Sequence, residues 1–200
     1  MNYLVFDTSS KALSVLCRKG DEVTLTHLND CALQHSVMLM DAVDDTLAKA
    51  NCSVKECDYI GCVVGPGSFT GIRIGIATAK GFCLGADKKS VAITAFELIA
   101  YTLSDDNVLA LIDAGRGYYY ACGYGKDRMV TFEARYLSGE EVENMRGTYT
   151  LASLEQLGIE TKVVRAEEGL QKATERAIGA GKSVLEALYL RKSQAEEQRK

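Results

Sequence analysis

The order of apolar runs constrains this chain more than any single motif. Three short runs come first, at residues 2–7, 12–18 and 21–28. Between them lie Ser9-Ser10-Lys11 and Lys19-Gly20-Asp21, which suit tight hairpin turns. The pattern predicts a three-strand meander with a buried first strand. A helical period follows over residues 34–50. Residues 59–64 are apolar on both faces, as in a central strand. A glycine-rich turn, a helix over 71–85, a strand at 91–94 and a helix at 95–103 complete the first set. A meander followed by alternating helix and strand predicts a mixed α/β sheet. Near Asp105-Asp106-Asn107 the pattern starts again, with runs at 108–113, 118–124 and 129–137. The restart predicts a first unit at residues 1–104 and a second, shorter one at 105–200. Residues 139–200 alternate short strands and helices, and the charged tail 193–200 is expected to fray.

The 200 residues are 47% hydrophobic and 25% charged, so a core can be buried without covalent staples. The net charge of -4 speaks against tight direct binding of nucleic acid, which needs clustered Lys and Arg. The seven cysteines include no Cys-x-x-Cys pair, and Cys52 and Cys57 are too far apart for a zinc knuckle. They read as reduced, mostly structural thiols. The N-terminus has no signal-peptide pattern, and no apolar run approaches a membrane span. A cytoplasmic protein with no membrane partner is expected.

On a helical wheel of residues 34–50, Leu39, Met40, Val43, Leu47 and Ala50 share one arc, expected to face the sheet. Asp41, Asp45 and Lys49 lie opposite. Val37 and Met38 fall outside the core arc. The second helix is apolar nearly all round. Gly71, Gly75, Thr78, Phe82 and Gly85 form a narrow, small face, and Ile72, Ile76, Ala79 and Cys83 form another. Only Arg73 and Lys80 leave a polar strip. Such a helix is expected to be buried nearly all round. Its four glycines cost about 1 kcal/mol each relative to Ala, which close backbone approach would offset. The two helices together are expected to form an oligomer or partner interface, with one face of the second against the sheet and the other against the partner. The candidate interface residues are His35, Val37, Met38, Asp41, Gly71, Ile72, Gly75, Ile76, Ala79, Phe82 and Cys83.

The segment Gly65-Pro66-Gly67-Ser68-Phe69-Thr70-Gly71 follows a strand and opens a helix, where backbone N–H groups can hold an anion. It lacks the Gly-Lys-Ser/Thr ending of a P-loop and the dinucleotide fingerprint. A tight turn with Thr70 as N-cap is the plainer reading.

The run from Val64 through Gly-Pro-Gly-Ser-Phe-Thr-Gly-Ile-Arg-Ile-Gly-Ile-Ala-Thr-Ala-Lys to Gly81 closely resembles the signature of the TsaB (YeaZ) family. Asp7-Thr8-Ser9, His35-Ser36, Ile112-Asp113-Ala114-Gly115-Arg116-Gly117 and Tyr189-Leu190-Arg191-Lys192-Ser193-Gln194-Ala195-Glu196 agree in the same order. The resemblance is closest over residues 1 to about 125. It implies the actin-like ATPase (ribonuclease H-like) fold, with two related subdomains, each a five-stranded mixed sheet with helices. It implies a part in forming threonylcarbamoyladenosine on tRNA, as partner of the related catalytic protein TsaD, with the ATPase TsaE joining. It also implies self-association through the helical surface, with tRNA met only through the complex.

The resemblance also bears on catalysis. The catalytic relative carries a His-x-x-x-His metal pair on the helix after its corresponding Gly-Pro-Gly segment. Here Ala95 and Ile99 occupy those places, and neither can ligate a metal. No metal site and no catalytic residue are expected, and the chain is read as a non-enzyme. Actin-like ATPases place phosphate and Mg²⁺ contacts at the ends of their first strands, where this chain has Asp7, Thr8, Ser9 and Asp113. An independent Mg-ATP-binding ATPase or kinase is therefore the alternative, although these positions also suit plain turn residues. No cofactor is expected on this chain alone, and ATP or ADP would sit at the interface of a complex. A peptidase is not supported, because Ser68 lacks the nucleophile-elbow spacing.

Overall fold

The computed structural model describes residues 1–191. The expectation for the tail 193–200 lies outside the described residues, as does most of the last matching motif. Three antiparallel strands open the chain: β1 (Tyr3–Asp7), β2 (Leu13–Lys19) and β3 (Glu22–Leu28). Then follow α1 (His35–Lys49), a single 3-10 turn (Val54–Glu56), β4 (Tyr59–Val63), α2 (Phe69–Ala86), β5 (Lys89–Ile93) and α3 (Ala95–Thr102). The strand order is β3-β2-β1-β4-β5, with β4 and β5 parallel to β1. β1 and β4 are central and almost wholly buried, whereas β3 is a half-exposed edge.

The second half repeats this plan. β6 (Val108–Gly115), β7 (Tyr118–Tyr124) and β8 (Val130–Ser138) form a meander, followed by the short α4 (Gly139–Glu143), β9 (Thr150–Ser153), β10 (Lys162–Val163) and α5 (Ala166–Gly179). The order β8-β7-β6-β9-β10 reproduces that of the first sheet, and β9 runs parallel to β6. The two mixed five-stranded sheets are those the resemblance implies. The connections differ. α1 and α2 have 15 and 18 residues, whereas five-residue α4 stands between β8 and β9, and no helix stands between β9 and β10.

α1 and α2 cover one face of the first sheet, packing with Leu4, Phe6, Leu13, Val15 and Cys62. α5 covers the other face through Leu170, Ala173 and Ala177. α3 is the central layer. Ala95 and Leu98 pack towards the first sheet, and Phe96, Ile99 and Ala100 towards the second. Thr94 caps α3 by accepting from the Glu97 N–H, and the Glu97 carboxylate accepts in return from the Thr94 N–H. Glu97 is buried, and its second oxygen accepts from Lys182 Nζ at 2.7 Å.

Residues 182–191 run back along the first half. The Ala92 N–H donates to the Lys182 carbonyl at 2.9 Å, and the Leu188 N–H to the Val64 carbonyl at 2.8 Å. Tyr189 stacks on Phe69, and Arg73 lies over the other partner ring, 3.9 Å from the Phe69 centroid, while donating to the Tyr189 hydroxyl. Among the described residues, no helix is long and apolar enough to cross a membrane.

Three local expectations need correction. Met40 is exposed rather than in the core arc; Leu39, Ala42, Val43, Thr46 and Leu47 form the buried stripe of α1. Ser68, not Thr70, caps α2, its hydroxyl accepting from the Gly71 N–H at 3.2 Å. The helix thus starts two residues earlier than its glycine pattern suggests. α2 is also not buried nearly all round, because only Gly71, Ile72, Gly75 and Ala79 are fully covered.

Candidate partner surface and interdomain cleft

Side-chain size decides how α2 sits. The Thr8 hydroxyl donates to the Gly71 carbonyl at 2.7 Å. A methyl group on Gly71 would lie 1.9 Å from the Thr8 carbonyl oxygen, and one on Gly75 would lie 2.6 Å from the Thr8 hydroxyl oxygen. Only glycine admits so close a crossing. The Ser68 N–H donates to the Ser9 carbonyl at 2.7 Å, so the glycine loop is tied to the β1–β2 turn. The small face of α2 therefore belongs to the sheet.

This placement corrects several expected interface residues. Gly71, Ile72, Gly75 and Ala79 are buried inside the chain and offer nothing to a partner. His35 is buried too, and its Nε2 lies 3.1 Å from the Ala12 carbonyl, anchoring the start of α1 to the β1–β2 turn. Met38, Ile76, Phe82 and Cys83 are half-buried and pack against the core from the side. Val37 and Asp41 do face outwards, Val37 with 73% of its surface exposed.

The outward faces hold residues that sequence reasoning missed. Leu84 is 88% exposed and Met40 is 44% exposed. Leu84 lies nine residues after Gly75, about two and a half turns at 3.6 residues per turn, and hence opposite it. A wheel centred on Gly75 would have found it. Asp41, Asp44 and Asp45 are exposed on α1, and Arg73 and Lys80 on α2. The two outer faces are thus apolar with opposite charges beside them.

A second feature is a cleft of about 640 Å³ between the two halves. Ser9, Lys11, His35, Gly67 and Ser68 line it from the first half, and Asp113, Glu155, Arg165 and Glu167 from the second. Of the candidate nucleotide residues, Ser9 and Asp113 reach it. Asp7 and Thr8 are buried and outside its lining. Asp7 Oδ1 accepts from the Ser9 N–H at 2.8 Å and the Ser9 hydroxyl at 2.6 Å. Burial pushes the Asp7 carboxyl above its usual range, opposed by those two bonds. Asp113 Oδ1 accepts from the Gly115 N–H at 2.9 Å, an Asx-type turn. Lys11 pairs with Glu155 at 3.0 Å, and Arg165 Nε with Glu167 at 2.6 Å. Among the described residues, the two permanent cations of the cleft, Lys11 and Arg165, are engaged by carboxylates, and Asp113 adds a further carboxylate. That balance disfavours a polyphosphate.

The remaining histidine, His27, bonds Ser14 and Asn29 on the edge of the first sheet. Ala95 and Ile99 are buried in the α3 layer. Among the described residues, no three His, Cys, Asp or Glu side chains converge in a geometry that could hold a metal ion.

The comparisons with known proteins agree with one another. The family model described as "TsaD: tRNA N6-adenosine threonylcarbamoyltransferase" matches residues 29–167. The chain is 33% identical over 147 residues to the tRNA threonylcarbamoyladenosine biosynthesis protein TsaB of Escherichia coli K12, covering 72% of this chain and 61% of that protein. It is 35% identical over 126 residues to the protein of the same name from Haemophilus influenzae, covering 60% of this chain and 52% of the relative. The chain thus spans roughly half to three-fifths of the length of these curated relatives. The solved structure of YeaZ from Pseudomonas aeruginosa superposes with a TM-score of 0.80 at 22% identity, covering 94% of this chain and 99% of that one. With two mixed five-stranded sheets of the same strand order, the fold is that of the actin-like ATPases. By the family match over most of its length and the relatives that share it, this chain belongs to the threonylcarbamoyltransferase family in its TsaB (YeaZ) branch.

Proposed function

We propose that this chain is a non-catalytic partner subunit of a TsaD-like threonylcarbamoyltransferase, serving the formation of N6-threonylcarbamoyladenosine on tRNA. It docks through the outward faces of α1 and α2. The observation that carries this reading is the exposure of Val37, Met40 and Leu84 on two adjacent helices of one sheet face. Exposed apolar side chains on neighbouring helices suit a surface that another protein covers. The acidic face of α1 and the basic residues of α2 also suit a two-fold arrangement, in which α1 of one molecule meets α2 of the next. A second copy of the chain and the related TsaD-like subunit are thus alternative occupants of one surface. A TsaE-like ATPase joins the assembled pair, and tRNA is met through the complex. Ala95 and Ile99 support the non-catalytic role, since both are core aliphatic residues where the catalytic relative has histidines.

Size-exclusion chromatography with light scattering, with and without a TsaD-like protein, tests this reading. A one-to-one heterodimer is expected. A chain that stays monomeric alone and with TsaD overturns it.

The cleft favours a second reading, in which ADP or ATP binds between the halves near Ser9 and Asp113. Its volume suits a nucleotide, and its charge does not. Calorimetry with Mg-ADP on the isolated chain and on the complex separates the two cases. Heat in the complex alone would assign nucleotide to a shared interface.

A further inference from the structure

Residues 188–191 cross from the first half of the chain to the second. Leu188 and Leu190 pack against the core of the second half. The residues that alternate with them, Tyr189 and Arg191, are exposed and meet aromatic rings. Tyr189 closes one stack. Its ring lies 5.2 Å from that of Phe69, and the Arg73 guanidinium lies 3.9 Å from the Phe69 centroid. Arg191 closes a second stack. Its guanidinium lies 5.2 Å from the Tyr136 centroid and donates to the Tyr136 hydroxyl at 2.9 Å. Tyr136 in turn stacks on Tyr118, with centroids 4.8 Å apart and planes 3° from parallel. The pairing of β7 with β8 makes these two rings diagonal neighbours, because Tyr118 stands opposite Ser138 and Tyr120 opposite Tyr136. Two residues of backbone span at most about 7 Å, so Tyr189 and Arg191 hold the two stacks side by side on one surface.

Both stacks keep open aromatic surface. Tyr118 is 40% exposed, Phe69 39% and Tyr189 44%. Arg116 is exposed in the turn between β6 and β7, two residues before Tyr118. Among the described residues, Arg73 meets the Phe69 ring and the Tyr189 hydroxyl, and no carboxylate pairs with it or with Arg116. Asp113, close to Arg116 in sequence, accepts from the Gly115 N–H and lines the cleft. The contrast with Lys11 and Arg165, both paired, is plain. The chain as a whole has a net charge of -4, yet these two arginines keep their charge for a ligand.

An open ring beside an arginine without a carboxylate can stack a base and hold its phosphate. The exposed apolar side chains here are planar rings, unlike Val37, Met40 and Leu84 on the docking faces. We propose that Tyr118, Tyr189, Phe69, Arg73 and Arg116 form a contact for unpaired bases of RNA. Bases stack on the open faces of Tyr118 and Tyr189, and Arg73 and Arg116 meet the phosphates. The bases must be unpaired, because a duplex keeps their faces stacked inside the helix. This rests on the tRNA reading proposed above and adds to it that this chain touches the RNA itself.

The test is fluorescence anisotropy of a short, unstructured, labelled RNA titrated with the folded full chain at low salt. A saturable rise is expected, competed by tRNA, weakened as salt is raised and much smaller for the same RNA annealed to its complement. Tyr118→Ala and Tyr189→Ala should each weaken binding by about tenfold, and Tyr118→Phe should not. Arg116→Gln, at an exposed turn position and so mild for folding, should weaken binding and flatten its salt dependence. No rise, equal affinity for single and double strands, or variants that bind as the parent does would each overturn the proposal. So would alanine variants that keep RNA binding but lose association with the TsaD-like protein, since the rings would then belong to a protein interface. Failure of the docking reading shows separately, as the absence of a heterodimer in size-exclusion chromatography while the chain alone still binds RNA.

Discussion

The Thr8 hydroxyl donates to the carbonyl of Gly71, 63 positions further along the chain, at 2.7 Å, so the first turn of α2 rests directly on the end of β1. This contact decides which face of α2 is inside.

Gly71→Ala brings a methyl group to 1.9 Å from the Thr8 carbonyl oxygen, which belongs to backbone and cannot swing away. Alanine gains about 1 kcal/mol of helix propensity. Overpacking of this kind costs about 1–3 kcal/mol, so a net loss is expected. Gly81→Ala, with nothing within 4 Å, should gain about 1 kcal/mol. Urea denaturation midpoints of the two variants should move in opposite directions.

Val37→Glu and Leu84→Glu change exposed side chains, so their stability should stay within about 0.5 kcal/mol of the parent. If the outer faces of α1 and α2 carry the partner, each should weaken association with the TsaD-like protein by about tenfold or more, or about 1.4 kcal/mol. Calorimetry reads this directly. Unchanged affinity in both variants would move the interface elsewhere. Gly75 is unsuited to this test, because a large residue there meets Thr8 before it meets a partner.

Glu97→Ala removes the α3 capping box and leaves Lys182 without its buried partner. Lys182 is half-exposed and can return to water, so the ion pair contributes less than a wholly buried one. A loss of about 2 kcal/mol is expected. Because α3 packs against both sheets, thermal unfolding should stay a single transition at a lower midpoint.

Asp7 makes a prediction in pH. Its carboxyl is raised by burial, so between its unfolded and folded pKa the native state holds more protons than the unfolded one. Stability attributable to Asp7 then falls as pH rises through that window. Asp7→Asn keeps the Oδ1 acceptor for Ser9 and removes the charge. It should stabilise the chain at neutral pH, with the gain vanishing as pH approaches the usual carboxylate range. Urea midpoints from pH 4 to pH 8 measure this. A gain of that sign would mean that the buried charge is kept against stability, the signature of a functional group.

Much of the fold was legible before the structure. The three-strand opening, the helices at α1, α2 and α3 and the restart after residue 104 all follow from periods of 2 and 3.6, because alternation and helical spacing record which side of an element meets water. The glycine-containing signature around residues 64–81 carried the family. The candidate site was less legible. Val37 and Asp41 proved exposed, as a partner residue must be. The wheel sets Met40 in the same arc as Val43 and Leu47, yet it lies at the edge of that arc and stays exposed. The cleft joins Ser9 to Asp113, far apart in sequence, so no local pattern announces it.

The sequence by itself determined which segments are strands and helices, that the order recurs, and that the helix at residues 71–85 has two faces able to be buried. It could not choose between those faces. A wheel ranks side chains by hydrophobicity, and glycine has no side chain to rank. The tertiary structure decided the matter through distance. The end of β1 arrives where any Cβ on Gly71 would collide, so the small face turns inwards, and Leu84 is left in water on the other side.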